Sequence, residues 1–308
     1  MLLFFEQLLN GVQLGVFLFL LAAGLTLIFG IMGVINLAHG SLYMAGAFAS
    51  ALALRLSGSF TLALIAAPLA AGLVGLAMEV IVIRRLYARD HLDQVLATFG
   101  LILFFNEIAA ISFGRQPLFM NIPPALNSTV ELLPGAPYPV YRLLIIIAGL
   151  LVAGLLYVLI SRSRAGSLIR AGSTDQEMLS ALGINVKMLF ALVFAFGAML
   201  AGFAGGLAGP LLSVEIGMGE NILILTFVVI VIGGIGSIRG AFAGALLVGI
   251  ADTLGRAFLP GLLKLMLPPA EADGIAAGLA SMAIYILMAG ILIWRPAGLF
   301  PPQGRSGA

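Results

Sequence analysis

The sequence predicts an all-α fold: a polytopic helical membrane protein with about 8–9 hydrophobic segments, some short or re-entrant. Three observations carry that prediction. Of 308 residues, 62% are hydrophobic and 9% charged, against roughly 25% charged and 45–50% apolar in a soluble domain. The mean hydropathy is +1.18. Apolar runs near the length of a bilayer crossing recur from end to end. Fifteen Lys and Arg with 13 Asp and Glu are too few to clothe a water-facing surface of this size, which excludes a soluble enzyme or a disordered chain. The absence of Cys excludes disulfides, Cys-based zinc sites and thiol nucleophiles. Two separated His, His39 and His91, leave little for a metal site. A net charge of +2 is too small to suggest nucleic acid.

Runs bounded by charges or Pro fall at 8–30, 41–56, 60–83, 94–114, 141–161, 188–213, 222–236, 240–255 and 276–294. The first has no Lys or Arg before it, unlike a cleavable signal peptide, and is expected to be retained. Segments 41–56, 222–236 and 240–255 fall short of the roughly 20 residues a crossing needs. Short, Gly-interrupted segments read as broken or re-entrant helices. No stretch resembles a soluble domain, so 1–308 is expected to be one membrane domain.

Orientation follows the placement of Lys and Arg. With the N-terminus outside, the inner side holds Arg84, Arg85, Arg89, Arg162, Arg164, Arg170, Lys187, Arg239, Arg295 and Arg305. The outer side keeps Arg55, Arg115, Arg142, Arg256 and Lys264. The outer loop 214–221 carries Glu215 and Glu220 and no base.

In a lipid-facing chain the polar exceptions are the informative residues. Residues 24–48 hold five Gly with Asn36, His39 and Ser41, a turn entering a tightly packed helix. Asn36 and His39 read either as pathway residues or as a capped turn with satisfied side chains. In 94–107, Gln94, Thr98, Asn106 and Glu107 share one hydrophobic helix, with Glu107 about 20 Å from Gln94. Glu107 is expected to face the bundle interior, a vestibule or a partner, or to pair with Arg115 or Arg142. Glu79 is expected to snorkel to water, and Asp252 and Arg256 to form an i, i+4 ion pair.

The longest inner stretch, 161–187, reads as a short amphipathic helix capped by Ser173 or Thr174, with Asp175 and Glu177 near its positive end. Met178, Leu179 and Leu182 form its apolar stripe and Gly183 its stop. Such a helix either lies on the lipid surface or docks in a groove of a soluble partner. GIMGVIN at 30–36 and GGIGSIR at 233–239 hint at related halves. The chain lacks G-x-x-x-x-G-K-[ST], so ATP energy would have to come from another polypeptide.

The run GLTLIFGIMGVINLAHGSLYMAGAFAS resembles the LivH-type permease of branched-chain amino acid ABC importers. ATFGLILFFNE at 97–107, RAGSTDQEMLSALGINV at 170–186, GGIGSIRGAFAGALLVG at 233–249 and WRPAGLF at 294–300 are similar to the same family. The resemblance implies a bacterial cell inner membrane location, multi-pass. It also implies a second permease subunit (LivM-type or another copy), two cytoplasmic ATP-binding subunits and a periplasmic substrate-binding protein. No cofactor is then bound by this chain, and ATP is used by the partners. It makes about 162–187 a cytoplasmic coupling loop, with Arg170, Asp175, Glu177, Met178, Leu179 and Gly183 as the residues facing the ATPase. Glu177 and Gly183 match a short EAA---G signature, with Met178 and Leu179 in place of its two Ala. Asn36, His39, Gln94, Thr98, Asn106 and Glu107 are the candidates to line the path. The expected cargo is a branched-chain or related neutral amino acid. The alternatives are a gradient-driven carrier or channel with Glu107 and His39 as a proton relay, or an importer of urea or short amides.

Overall fold

The structure is a computed structural model that describes residues 2–301. Arg305, counted above among the inner charges, lies outside the described residues. Eleven α-helices are present among the described residues. They are α1 (Leu2–Met32), α2 (His39–Ser57), α3 (Phe60–Ile81), α4 (His91–Phe113), α5 (Val140–Arg162), α6 (Arg164–Thr174), α7 (Gln176–Ala181), α8 (Val186–Ala208), α9 (Met218–Gly233), α10 (Ile238–Leu263) and α11 (Pro269–Trp294). The nine apolar runs correspond to α1–α5 and α8–α11, and seven of these are long and apolar enough to cross a membrane. The two that fall short are α9, with 16 residues, and α2, which opens on the polar run His39–Gly40–Ser41. The run 240–255, expected to be short, is instead part of the 26-residue α10. Its presumed boundary charges, Asp252 and Arg256, pair at 2.9 Å along the helix and so extend it.

The chain packs as two compact units. The first holds residues up to Ala22, Pro123–Leu150 and Thr226 onward; the second holds Ala23–Ile122 and Leu151–Leu225.

The second unit is built on α2, α3 and α8, whose backbones approach through small residues. A Cβ on Gly46 would lie 2.3 Å from the Gly202 Cα, and one on Gly205 would lie 2.1 Å from the Tyr43 carbonyl oxygen. On α3, a Cβ at Gly75 would meet the Ala198 Cβ at 2.4 Å. Without a hydrophobic force between helices in lipid, such close backbone packing supplies the association. The outward faces of α3 and α4 present Leu69, Leu73, Leu96, Phe99 and Leu103, all exposed in the isolated chain, as a lipid-facing surface requires.

Glu79, expected to snorkel, is instead fully buried at the end of α3. Arg84 grips it with two nitrogens, at 3.2 and 2.8 Å, and the Tyr87 hydroxyl donates to it at 2.6 Å. A buried carboxylate is tolerable only when paired and hydrogen-bonded in this way. Burial first, and then this hydrogen bond, push the Tyr87 phenol up.

The first unit joins α1 to α10 through the same small-residue logic. A Cβ on Gly15 would meet the Ala245 carbonyl oxygen at 2.8 Å, and one on Gly249 would meet the Gly15 nitrogen at 2.4 Å. Phe19 and Phe242 stack edge to face, 5.1 Å apart. An antiparallel hairpin, β1 (Thr129–Leu133) and β2 (Ala136–Pro139), precedes α5. The sequence reading contained no strand, although Pro134–Gly135 is a turn dipeptide. After α11 the chain returns to α9, where the Leu299 and Phe300 amides donate to the carbonyls of Ile232 and Gly233 at 2.9 Å. The WRPAGLF ending is therefore a strap.

Candidate translocation site

All six candidate pathway residues lie in the second unit. On α4, Gln94, Thr98, Ile102 and Asn106 recur every four residues and so share a stripe. The first three are buried, while Leu96, Phe99 and Leu103 on the other side are exposed.

The lower part of the stripe is fully bonded. Gln94 accepts from the Ile35 amide at 3.1 Å and donates to the carbonyls of Leu86 and Arg89 at 3.2 and 3.1 Å. It therefore pins the non-helical segment 33–38 and the 86–89 turn onto the start of α4. The Thr98 hydroxyl donates back to the Gln94 carbonyl at 2.7 Å. Both side chains spend their polar groups inside the unit.

The upper part differs. The Asn106 amide donates to Glu220 at 2.6 Å. Glu220 lies in the first turn of α9, behind Gly217, whose φ of +86° turns the chain into the helix. The other Glu220 oxygen is buried with no hydrogen-bond partner among the described residues. The start of α2 reaches the same place, since a Cβ on Gly40 would lie 2.3 Å from the Gly219 carbonyl oxygen. Next to Gly40, His39 is fully buried, its ring 3.1 Å from where a Cβ on Gly24 of α1 would sit.

Asn36 is also fully buried. Its side-chain oxygen accepts from the Ala38 amide at 3.0 Å, the capped turn anticipated from the sequence. Its amide nitrogen has no hydrogen-bond partner among the described residues, and neither does the Thr26 hydroxyl. Unsatisfied buried polar groups cost about 1–3 kcal/mol each, which sets these two apart from the bonded groups of the stripe. Glu220 is the residue the sequence reading missed: it stood among loop acids, whereas Gly217 followed by an acid three residues later is a helix-start signal.

Glu107 stands apart from this cluster. Its carboxylate is 61% exposed and pairs at 3.1 Å with Arg115, itself 75% exposed. Of the alternatives the sequence offered, the structure shows the pair with Arg115, and Glu107 faces away from the unit's interior because it is one residue out of the four-residue stripe.

The connection between α5 and α8 forms two helices rather than one. Ser163 caps α6, accepting from the Gly166 amide at 3.0 Å. Asp175, not Ser173 or Thr174, caps α7 by accepting from the Met178 amide at 2.9 Å. Ser173 and Thr174 instead end α6. Gly183, at φ +81°, closes α7. The Gly183 amide donates to the Ser180 carbonyl at 3.0 Å and the Ile184 amide to the Leu179 carbonyl at 3.2 Å, which is a Schellman motif. The expected apolar stripe is split. Leu179 is buried, its side chain 3.3 Å from where a Cβ on Gly172 of α6 would sit, whereas Met178 and Leu182 are 59% and 70% exposed. Glu177 is exposed beside them. Arg170 donates to the Ile160 carbonyl and to the Ser167 hydroxyl.

The unit thus holds a buried to half-buried polar line from the α4 start to the α9 start, and a two-helix elbow, α6 and α7, with exposed Glu177, Met178 and Leu182. Residues 7–292 match the family described as the branched-chain amino acid transport system permease component. The chain is 32% identical to the high-affinity branched-chain amino acid transport system permease protein BraD of Pseudomonas aeruginosa, over 96% of this chain and 95% of the relative. It is 31% identical to the corresponding LivH protein of Escherichia coli, over 94% and 95%. The probable LivH of Methanocaldococcus jannaschii is 27% identical over 77% and 76%. No solved structure matches. The chain belongs to the branched-chain amino acid transport permease family: it is a polytopic helical membrane protein and the permease component of a multi-component transport system.

Proposed function

We propose that this chain forms the translocation pathway of an ATP-driven importer for branched-chain or related neutral amino acids, in the bacterial inner membrane. The observation that carries the reading is the end-to-end likeness to permeases named for branched-chain amino acid transport. In this reading a periplasmic binding protein delivers the amino acid and a second permease subunit, LivM-type or another copy, completes the pathway. Two cytoplasmic ATP-binding subunits receive α7. Closure of the ATPase dimer moves Glu177, Met178 and Leu182, and with them the bundle, between outward-open and inward-open states. The buried line from Asn36 and His39 to Asn106 and Glu220 serves as the path, with few charges to trap a neutral cargo. Arg170, Asp175, Leu179 and Gly183 hold the elbow in shape.

The test is ATP-dependent uptake of leucine, isoleucine and valine by proteoliposomes holding this chain, its neighbouring permease, the ATPases and the binding protein. Uptake that vanishes when the ATPases or the binding protein are omitted supports the reading. Gradient-driven uptake by this chain alone overturns it in favour of a carrier. ATP-dependent uptake of urea or short amides, but none of the three amino acids, changes the cargo.

A further inference from the structure

The first unit holds a polar region of its own. A cleft of about 490 Å³ opens between α1, α5 and α10, within the range of small-molecule sites. Asn10 and Gln13 reach it from α1, Arg142 from α5, and Asp252 and Arg256 from α10.

Its charges are unusually placed. Asp252 is buried, at 7% exposure, and pairs with Arg256 at 2.9 Å, while the Arg256 side chain stays 55% exposed. Arg142 sits in the first turn of α5, where the helix dipole disfavours a cation. Among the described residues it belongs to no ion pair. It donates to the Asn10 side-chain oxygen, which also accepts from the Tyr138 hydroxyl at 3.2 Å. Its guanidinium also donates to the Tyr138 hydroxyl; with five donors in a fork that fits a carboxylate, these two neutral partners leave part of that capacity unused. The cleft thus presents two guanidiniums and one carboxylate a short way apart, a pattern complementary to a small zwitterion and not to a simple anion.

We propose that this cleft binds the ammonium and carboxylate head of a free α-amino acid. Arg142 and Arg256 take the carboxylate, Asp252 takes the ammonium, and Asn10 and Gln13 supply neutral hydrogen bonds. With the N-terminus outside, as the distribution of Lys and Arg predicts, the site faces the side from which cargo arrives. The assignment rests on the importer reading for the identity of its ligand, while the charge pattern itself does not. A phosphatidylethanolamine headgroup carries the same pair of charges, and the experiment separates the two.

The experiment is equilibrium binding of radiolabelled leucine to the full chain in nanodiscs made without ethanolamine lipid. Leucine is expected to bind, and leucinamide and 4-methylpentanoate, each lacking one charge, to compete at least tenfold more weakly. Arg142→Gln and Asp252→Asn should each weaken leucine binding tenfold or more. Gln13→Leu, which removes a neutral hydrogen-bonding group without touching an ion pair, should also weaken binding and serves as the readout if either charge variant fails to fold. Undiminished binding in folded variants, or no leucine binding at all, overturns the proposal. Stronger competition by glycerophosphoethanolamine than by leucine overturns the amino acid in favour of the lipid. Uptake by the complete assembly is measured in parallel. Leucine uptake with unaltered binding in all three variants removes this site and leaves the importer reading standing. Charge-paired binding with no amino acid uptake does the reverse.

Discussion

Asn106 and Glu220 lie 114 positions apart in the sequence and 2.6 Å apart in space. This bond ties the middle of α4 to the first turn of α9 and leaves one carboxylate oxygen buried and unbonded. The two changes at Glu220 should therefore separate. Glu220→Gln keeps a hydrogen-bonding side chain and is expected to hold the thermal unfolding midpoint while lowering uptake by the assembled complex. Glu220→Ala strands the Asn106 amide and is expected to cost about 1–3 kcal/mol as well. Scanning fluorimetry with an uptake assay reads both, and normal uptake in Glu220→Gln would remove Glu220 from the path.

The Glu79–Arg84 pair makes an asymmetric prediction. Arg84→Ala leaves a fully buried carboxylate without its cation, so it should lower the unfolding midpoint strongly. Glu79→Gln retains an acceptor for the Tyr87 hydroxyl and leaves Arg84 partly in water, so its loss should be smaller. Unfolding midpoints of the two variants check the order; equal losses would mean the pair is not the dominant contact.

Gly183 should tolerate Asn better than Val. Its φ of +81° is strained for residues with a Cβ, by about 1–2 kcal/mol, and least so for Asn. Gly183→Val is expected to distort the end of α7 and uncouple ATP hydrolysis from uptake in the reconstituted assembly. Glu177→Lys, which reverses an exposed charge on the same helix, should uncouple without loss of stability. Normal coupling in both variants would sink the docking role of α7.

Gly202→Leu should prevent stable packing of the second unit. A Cβ there would already lie 2.3 Å from the Ala71 Cβ and 2.7 Å from the Ala67 carbonyl oxygen, and overpacking costs at least about 1–3 kcal/mol. Gly100→Leu on α4, where a Cβ meets nothing within 4 Å, is the control and should be neutral. Folded yield by size-exclusion chromatography distinguishes them.

Glu107→Gln should change neither stability nor substrate profile, because its pair with Arg115 is exposed at both ends. A shifted pH dependence of uptake, with stability intact, would restore the proton relay.

Much of this was legible because hydropathy is a strong signal. All nine apolar runs became helices, since a lipid-facing backbone must bond to itself. The errors fell where charge was read as a boundary. Arg256 was taken to end the run 240–255, yet its anticipated pair with Asp252, four residues back, lies within a continuing helix. Glu79 was sent to water because its clamp, Arg84 and Tyr87, lies on a turn whose geometry no periodicity encodes. Between α5 and α8, α6 was missed because RAGSLIRAGST interleaves its Arg, Ala and Leu with two Gly and two Ser, which read as a loop. Of the candidate path, Asn36 and Asn106 were visible as polar interruptions, whereas Glu220 was not. Its role depends on α9 beginning next to Gly40, a contact between distant segments.

Asp175 is at once the C-cap of α6 and the N-cap of α7, the single residue between the two helices. At the other end of α6, Gly166 packs so closely on the last turn of α5 that a Cβ would lie 2.2 Å from the Ile160 carbonyl oxygen. The linkage from α7 back to α5 therefore contains no slack. A displacement imposed at Met178 has no floppy joint in which to dissipate, so a short stroke at the elbow arrives at the long helix as a stroke of similar size. Two or three Gly–Ser residues inserted beside Asp175 would add compliance there, and would weaken the response without altering a single contact surface.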